Sequence, residues 1–223
     1  MIPWVEIDAA KTPDGQSLRL KRRGAEFSIM LGANELMNSR LSGSEEQLAR
    51  LAIERLGGRP SPRILVGGLG MGFTLRAALA ELGPDARVAV AELIPAVIAW
   101  ARGQMADIFA GCLDDPRVDV READVGAVIA SARGDLDAIL LDVDNGPEGL
   151  TTAGNDALYS HAGLARAAAA LRPGGVLAVW SSRPDSGFTR RLRNAGFQVE
   201  EVSVRARAKR GARHVIWLAV KPG

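Results

Sequence analysis

The chain has 223 residues, 47% of them hydrophobic and 24% charged, with a formal net charge of +2. That is room for one sizeable α/β domain with a small appendage, and the charge is too small to imply nucleic acid by itself. The lone cysteine, Cys112, excludes an intrachain disulfide and any multi-cysteine metal site. No run is long and apolar enough to span a bilayer, and the opening "MIPWVEIDAAK" lacks the apolar core of a signal peptide, so a cytoplasmic protein is expected.

Residues 1–42 alternate apolar and polar positions in "WVEID", "SLRLKRR" and "EFSIMLG", with "PDG" as the turn between the first two runs. A small antiparallel β unit is expected there. Residues 43–62 read as a helix and a linker. "GSEEQLARLAIERLGG" has its apolar residues at helical spacing, Ser44 as N-cap, Gln47 completing a capping box, and Gly57 and Gly58 as the stop. "RPSPR" is the stiff connector into the main domain, residues 63–223.

From residue 63 short apolar runs alternate with helical patterns. The runs are "RILVG", "RVAVAE", "RVDVRE", "LDAILLD", "GVLAVWS", "FQVEEVSV" and "HVIWLAV", and helices are read in "GFTLRAALAEL", "IPAVIAWARGQM" and "DALYSHAGLARAAAAL". This predicts a doubly wound, mostly parallel seven-stranded sheet covered on both faces, a Rossmann-like α/β fold. The last two runs leave no room for a crossover helix, so they must close the sheet as an antiparallel hairpin.

Ligands of such sheets bind beyond the carboxyl ends of the strands. The first strand ends in "GGLGMG", the second at Glu92, the third before Asp124, the fourth at Asp142 and Asp144. Three of these four ends carry carboxylates, which repel a diphosphate but suit ribose hydroxyls, an adenine amino group and cationic centres. A dinucleotide fingerprint starting at Gly68 needs glycine at 73, where Phe73 stands, and the GK[ST] of a phosphate loop is absent. What remains is Gly68, Gly70 and Gly72, with Glu92 placed to accept two ribose hydroxyls.

The glycine loop, Glu92, "EADV", "ILLDVD", "LRPGGVLAV" and the terminal hairpin, in that order, resemble the class I S-adenosylmethionine-dependent methyltransferase fold over about residues 60–221. That resemblance implies that Gly68, Gly70 and Gly72 meet the methionine part of the cofactor. It implies Glu92 at the ribose hydroxyls and Asp124 with Val125 at the adenine, with Leu93 also among the cofactor-binding residues. The N-terminal β unit, the "SEEQLA" helix and "DVDNGPEGL…ALYS…LRPGG" further resemble spermidine synthases, which move an aminopropyl group from decarboxylated S-adenosylmethionine. In that family the first Asp after the fourth strand acts on the attacking amine. Asp142 matches it, with Asp144 displaced by one from the family pattern.

Two features depart from the family. It carries an Asp inside the glycine loop that holds the donor's amino group, whereas residues 64–76, "ILVGGLGMGFTLR", contain no acid. The tyrosine and histidine of its substrate helix are missing from "SEEQLARLA". Loss of a charge-assisted partner costs a donor amine about 1.5–3 kcal/mol. The expected protein is therefore an S-adenosylmethionine-dependent transferase of spermidine-synthase-like architecture, with methyl transfer favoured over aminopropyl transfer. A non-catalytic nucleoside-binding module is the alternative from another class.

Asp142 is the expected catalytic residue, orienting a neutral amine and taking its proton. Asp144 and Tyr159 are candidates for the acceptor side, as is Trp180 after the fifth strand, and Glu148 could meet a second cationic end. His161 and His214 have no metal-like partners, and no metal is expected. Cys112 reads as a packed residue. The basic stretches "RLKRR" and "RARAKRGAR" lack interleaved aromatics and read as a solvated strand edge and a hairpin tip rather than a nucleic-acid surface. The expected partner is a small-molecule acceptor, an amine among the candidates, with no membrane; homodimerisation is left open.

Overall fold

The computed structural model describes residues 2–143, 147, 157–206 and 212–223. Asp144, Glu148 and the tip of the last hairpin lie outside them. Two sheets organise the chain. The first is antiparallel, with β1 (Val5–Lys11), β2 (Ser17–Arg23), β3 (Glu26–Leu31) and β4 (Asn34–Asn38) in spatial order 1-2-3-4. β4 was not expected from the sequence: "NELMN" is short and polar at both ends, and it is a strand because the turn at Gly32, with φ +57°, folds it back onto β3. β2 is an inner strand, not an edge, because it pairs with both β1 and β3. Its Leu18 and Leu20 are buried while Arg19 and Arg23 face Glu6 and Glu26.

The second sheet contains β5 (Arg63–Gly67), β6 (Arg87–Glu92), β7 (Val118–Glu122), β8 (Leu136–Leu141), β9 (Leu171–Ser181), β10 (Gln198–Arg205) and β11 (Arg213–Val220). Its spatial order is β10-β11-β9-β8-β5-β6-β7, parallel throughout except for β11, which is antiparallel to both neighbours. The chain starts at β5, winds outward to β6 and β7, then returns to β8 on the other side of β5. The switch point thus lies between β5 and β8, where the glycine loop and Asp142 emerge together.

Alternation along the strands sorts the core into two layers. Ile64, Val66, Val88, Val90, Leu140, Ala178 and Ile216 pack against α1 (Gly43–Arg55), α2 (Phe73–Glu81), α3 (Pro95–Arg102), α4 (Ala106–Phe109) and the small sheet. Leu65, Ile139, Leu177, Val179 and Trp217 face α5 (Val125–Ser131), α6 (His161–Ala170) and α7 (Ser186–Asn194). The small sheet shares the first layer through Leu18, Leu20, Phe27 and Ile29, and Trp100 of α3 donates from Nε1 to Asp8 of β1 at 2.7 Å. At the far end of the sheet Asp137, 1% exposed, accepts from Arg59 at 2.8 Å, Arg172 at 3.1 Å and the Arg63 amide at 2.8 Å. Burial pushes its carboxyl up, but these donors outweigh it and hold it below the ordinary range.

Two helix boundaries differ from expectation. The helix read continuously over 156–171 has a break at Ser160, whose hydroxyl caps α6 through the Gly163 amide at 3.1 Å. α1 has Ser42 as N-cap with no side-chain cap bond, so the predicted capping box of Ser44 and Gln47 does not form. The Ser44 hydroxyl is fully buried and committed elsewhere. Among the described residues no helix is long and apolar enough to cross a membrane.

Candidate active site

Two chambers lie side by side at the carboxyl ends of β5, β6 and β8 and share part of their walls. The first is lined by the glycine loop, Glu92, Leu93, Asp124, Val125 and Asp142, and is roofed by the small sheet through Thr12, Asp14, Leu36 and Met37. The second is lined by Asn38, Glu45, Met71, Phe73, Asp142 and Trp180. Leu36, Met37, Gly70 and Asp142 belong to both. A larger groove of about 860 Å³ runs under the opposite ends of the strands, but its arginines are spent on local pairs such as Arg63–Asp135 and Arg121–Asp119.

The glycines are required by shape. Gly68 has φ +88°, and a Cβ there would collide with the Asp142 carbonyl oxygen; at Gly72, φ +76°, it would collide with the Phe109 ring. The loop is thereby pressed against β8 on one side and α4 on the other. A Cβ on Gly70, φ +50°, would lie 3.2 Å from Met37 Sδ, so the roof rests directly on the loop.

Glu92 ends β6 and is 8% exposed. Its Oε2 accepts from the Leu69 amide at 2.9 Å and its Oε1 from the Ile94 amide at 2.9 Å. Burial nevertheless raises its carboxyl above the ordinary value against these amides. Each oxygen keeps a second lone pair, which is what a pair of vicinal hydroxyls needs. Leu93 beside it is 44% exposed, an apolar surface at the chamber mouth. Asp124 is the N-cap of α5, with Oδ1 on the Ala127 amide at 2.7 Å, and Val125 packs beneath the loop against Gly67.

Asp142 leaves β8 at the junction of the chambers, and the Thr74 hydroxyl donates to its Oδ2 at 2.6 Å. Burial and the charge of Glu45 across the second chamber push its carboxyl up to about 7, against the pull of Thr74. A carboxyl in that range exchanges protons near neutrality, as a general base for an amine must. Glu45 was not singled out in the sequence. It lies in the "SEEQLA" segment, where the capping pattern of Ser44 and Gln47 and the likeness to a substrate helix are what the sequence offers. Trp180 does border the second chamber, and His214 stacks edge-on against it with centroids 4.8 Å apart.

Tyr159 is a correction. It is 3% exposed and packs in the second core layer, edge-on to Phe188 at 5.6 Å, rather than lining either chamber. The aromatic wall is supplied instead by Phe73 and Trp180. Cys112 is packed as expected, with burial pushing its thiol up to about 11.

No family model matches the chain. It is 38% identical over 147 residues, 61% of its length, to the polyamine aminopropyltransferase of Mycobacterium tuberculosis (strain CDC 1551 / Oshkosh). That stretch is 27% of the relative, so the chain spans about a quarter of the length of the curated relatives it matches. Among solved structures, a spermidine synthase in complex with the transition state analogue AdoDATO superposes with a TM-score of 0.79 at 19% identity, covering 97% of this chain and 73% of that one. The 1,6-didemethyltoxoflavin-N1-methyltransferase of Burkholderia thailandensis superposes with a TM-score of 0.58 at 20% identity, covering 82% of this chain and 80% of that one. The fold is therefore the spermidine-synthase-like form of the class I methyltransferase fold, with the seven-stranded sheet, terminal hairpin and small N-terminal sheet expected from the sequence.

Proposed function

We propose that this chain carries the active site of a transferase that moves an aminopropyl group from decarboxylated S-adenosylmethionine to an amine acceptor. The observation that carries this reading is the junction of the two chambers at Gly70 and Asp142, with Glu45 as a second carboxylate across the acceptor side. In it, Glu92 takes the ribose hydroxyls, Leu93, Asp124 and Val125 surround the adenine, and the loop of Gly68, Gly70 and Gly72 lies under the sulfonium end. The acceptor occupies the second chamber, its cationic form attracted by Glu45 and Asp142.

The sulfonium is already activated, so the residues need to align, desolvate and deprotonate. Asp142 receives a proton from the ammonium form of the acceptor and holds the freed lone pair toward the junction. The nitrogen then attacks the propyl carbon next to sulfur. The C–N bond forms and the C–S pair returns to sulfur, leaving a neutral thioether nucleoside. Phe73, Trp180 and the roof from β4 keep water out of that path.

A second reading, methyl transfer from S-adenosylmethionine, is favoured by one observation: the loop side chains Leu69 and Met71 are apolar and buried, so the loop offers no acid to a donor amine. Side-by-side calorimetric titration with the two donors decides. Binding of the decarboxylated donor at least tenfold tighter is expected; the reverse preference establishes methyl transfer, and no binding of either overturns both.

A further inference from the structure

A pair of carboxylates on one small chamber works as an acid–base device only if the two are made unequal, since neighbouring like charges cannot both ionise freely. The asymmetry here comes from outside the chamber. The buried Ser44 hydroxyl, one residue before Glu45 on α1, donates to Glu45 Oε2 at 2.6 Å. The same oxygen lies 2.8 Å from Nδ1 of His214, the second residue of β11. A hydroxyl has one proton to give. With that proton on Glu45, the Ser44 oxygen must accept from His214, which fixes the imidazole with its hydrogen on Nδ1. Trp180 of β9 packs edge-on to the ring and holds it in place.

We propose that Ser44 and His214 are positioning residues that hold Glu45 as the standing anion of the acceptor chamber, so that Asp142 is the member that exchanges a proton. The catalytic part of this inference rests on the reading of that chamber as an amine site. Two donors in series point at Glu45, whereas among the described residues Asp142 receives the Thr74 hydroxyl alone. Burial holds the His214 ring below its ordinary value, against the charge of Glu45, which keeps the ring neutral and donating at pH 7.

Among the described residues, neighbouring acids on α1 and β4 are themselves paired. Glu46 of α1 faces Arg50 at 3.7 Å, and Glu35 of β4 is held by Arg40 at 2.8 Å. Among the described lining residues of the second chamber, Glu45 and Asp142 are the ionisable ones; the glycine loop, α2 and β9 contribute uncharged side chains. The device also brings together elements from either side of the parallel strands, since α1 precedes the seven-stranded sheet and β11 closes it. The glycine loop and the strand-end acids lie between them in the chain.

The test needs no substrate. The carboxyl carbons of Asp142 and Glu45 are followed by ¹³C NMR titration in the full chain, for wild type, Ser44→Ala, His214→Asn and His214→Phe. In wild type the transition near pH 7 is expected on Asp142 alone. In Ser44→Ala its amplitude should divide between Asp142 and Glu45, with His214→Phe dividing it less. His214→Asn, whose amide can still donate to Ser44, should restore the wild-type pattern. A transition near 7 carried by Glu45 in wild type, or a Ser44→Ala titration identical to wild type, overturns the proposal. Failure of the amine reading would show separately, as absence of amine binding with these titrations intact.

Discussion

The two chambers of the cleft are built on opposite plans. The first has a floor made by backbone: a loop where Gly68 and Gly72 admit no Cβ, and a carboxylate tied at both oxygens by amides of Leu69 and Ile94. The second is made by side chains brought from β4, α1, the loop, β8 and β9, among them Asn38, Glu45, Met71, Asp142 and Trp180. A site held by amides tolerates drift in sequence everywhere except at its glycines and its carboxylate. A site held by side chains can change its substrate by one replacement. The absence of an acid from the loop, with the fold intact, is that contrast within one cleft.

The largest effect is expected where the chambers meet. Asp142→Asn removes the proton acceptor and should lower the rate of transfer by 10²–10⁴-fold at saturating donor. Its stability effect has a definite sign. The folded carboxyl is raised to about 7 from an ordinary 3.8, so the folded state binds this proton more tightly than the unfolded chain. The stabilisation is complete below the unfolded value and is lost as pH rises through about 7. Asp142→Asn escapes that loss, so denaturant unfolding should show it more stable than wild type at pH 8, by roughly 2–4 kcal/mol, and level with it at pH 4. A variant destabilised equally at both pH values would mean that the carboxyl is ionised throughout.

Gly68→Ala tests the backbone plan. A methyl group at φ +88° is strained, and it would drive the Asp142 carbonyl away from the loop. A stability loss of about 2–4 kcal/mol is expected, with donor affinity falling beyond detection in calorimetry because the loop can no longer lie flat. Glu92→Gln is gentler. It leaves one accepting oxygen and turns an NH2 toward the Leu69 or Ile94 amide, so donor affinity should fall by at least about 10–150-fold, or about 1.5–3 kcal/mol. Turnover at saturating donor should change little. If Glu92→Gln instead lowered turnover with affinity unchanged, the ribose assignment would be wrong.

The same contrast explains what could be read from the sequence. The glycine loop, Glu92 and the strand-end position of Asp142 are local facts: a strand, then a residue type, within a few positions. They were legible because parallel-sheet topology converts position at a strand's end into position in a cleft. The sheet itself followed from alternation and from the missing crossover between β10 and β11. Glu45, His214 and the roof residue Met37 could not be found that way. Glu45 meets Asp142 only after α1 has packed beside α2, and His214 meets Ser44 across 170 positions of chain. Tyr159 failed for a related reason. Its position near a helix start suggested the cleft, but the break at Ser160 turned it into the core. β4 was missed because its pairing depends on the turn before it rather than on its own composition.

The smallest expected effect is at Gln47, and it bears on the largest ambiguity in the sequence. "SEEQ" satisfies the pattern of a helix-capping box, in which Ser44 would cap α1 and Gln47 would reach back to it. Under that reading Gln47→Ala and Ser44→Ala should both cost about 1 kcal/mol of stability and behave as one unit. In the structure Ser42 is the N-cap, and the Ser44 hydroxyl is spent between Glu45 and His214. Gln47→Ala should therefore stay within about 0.5 kcal/mol of wild type in denaturant unfolding, because no described bond depends on it. A cost near 1 kcal/mol for Gln47→Ala would mean that its side chain reaches back to the Ser44 backbone amide, which requires Ser44 rather than Ser42 as the N-cap. A neutral Gln47→Ala is what the described geometry requires: Ser44 lies inside α1 rather than at its cap, and its hydroxyl donates to Glu45 with its oxygen 2.8 Å from Nδ1 of His214.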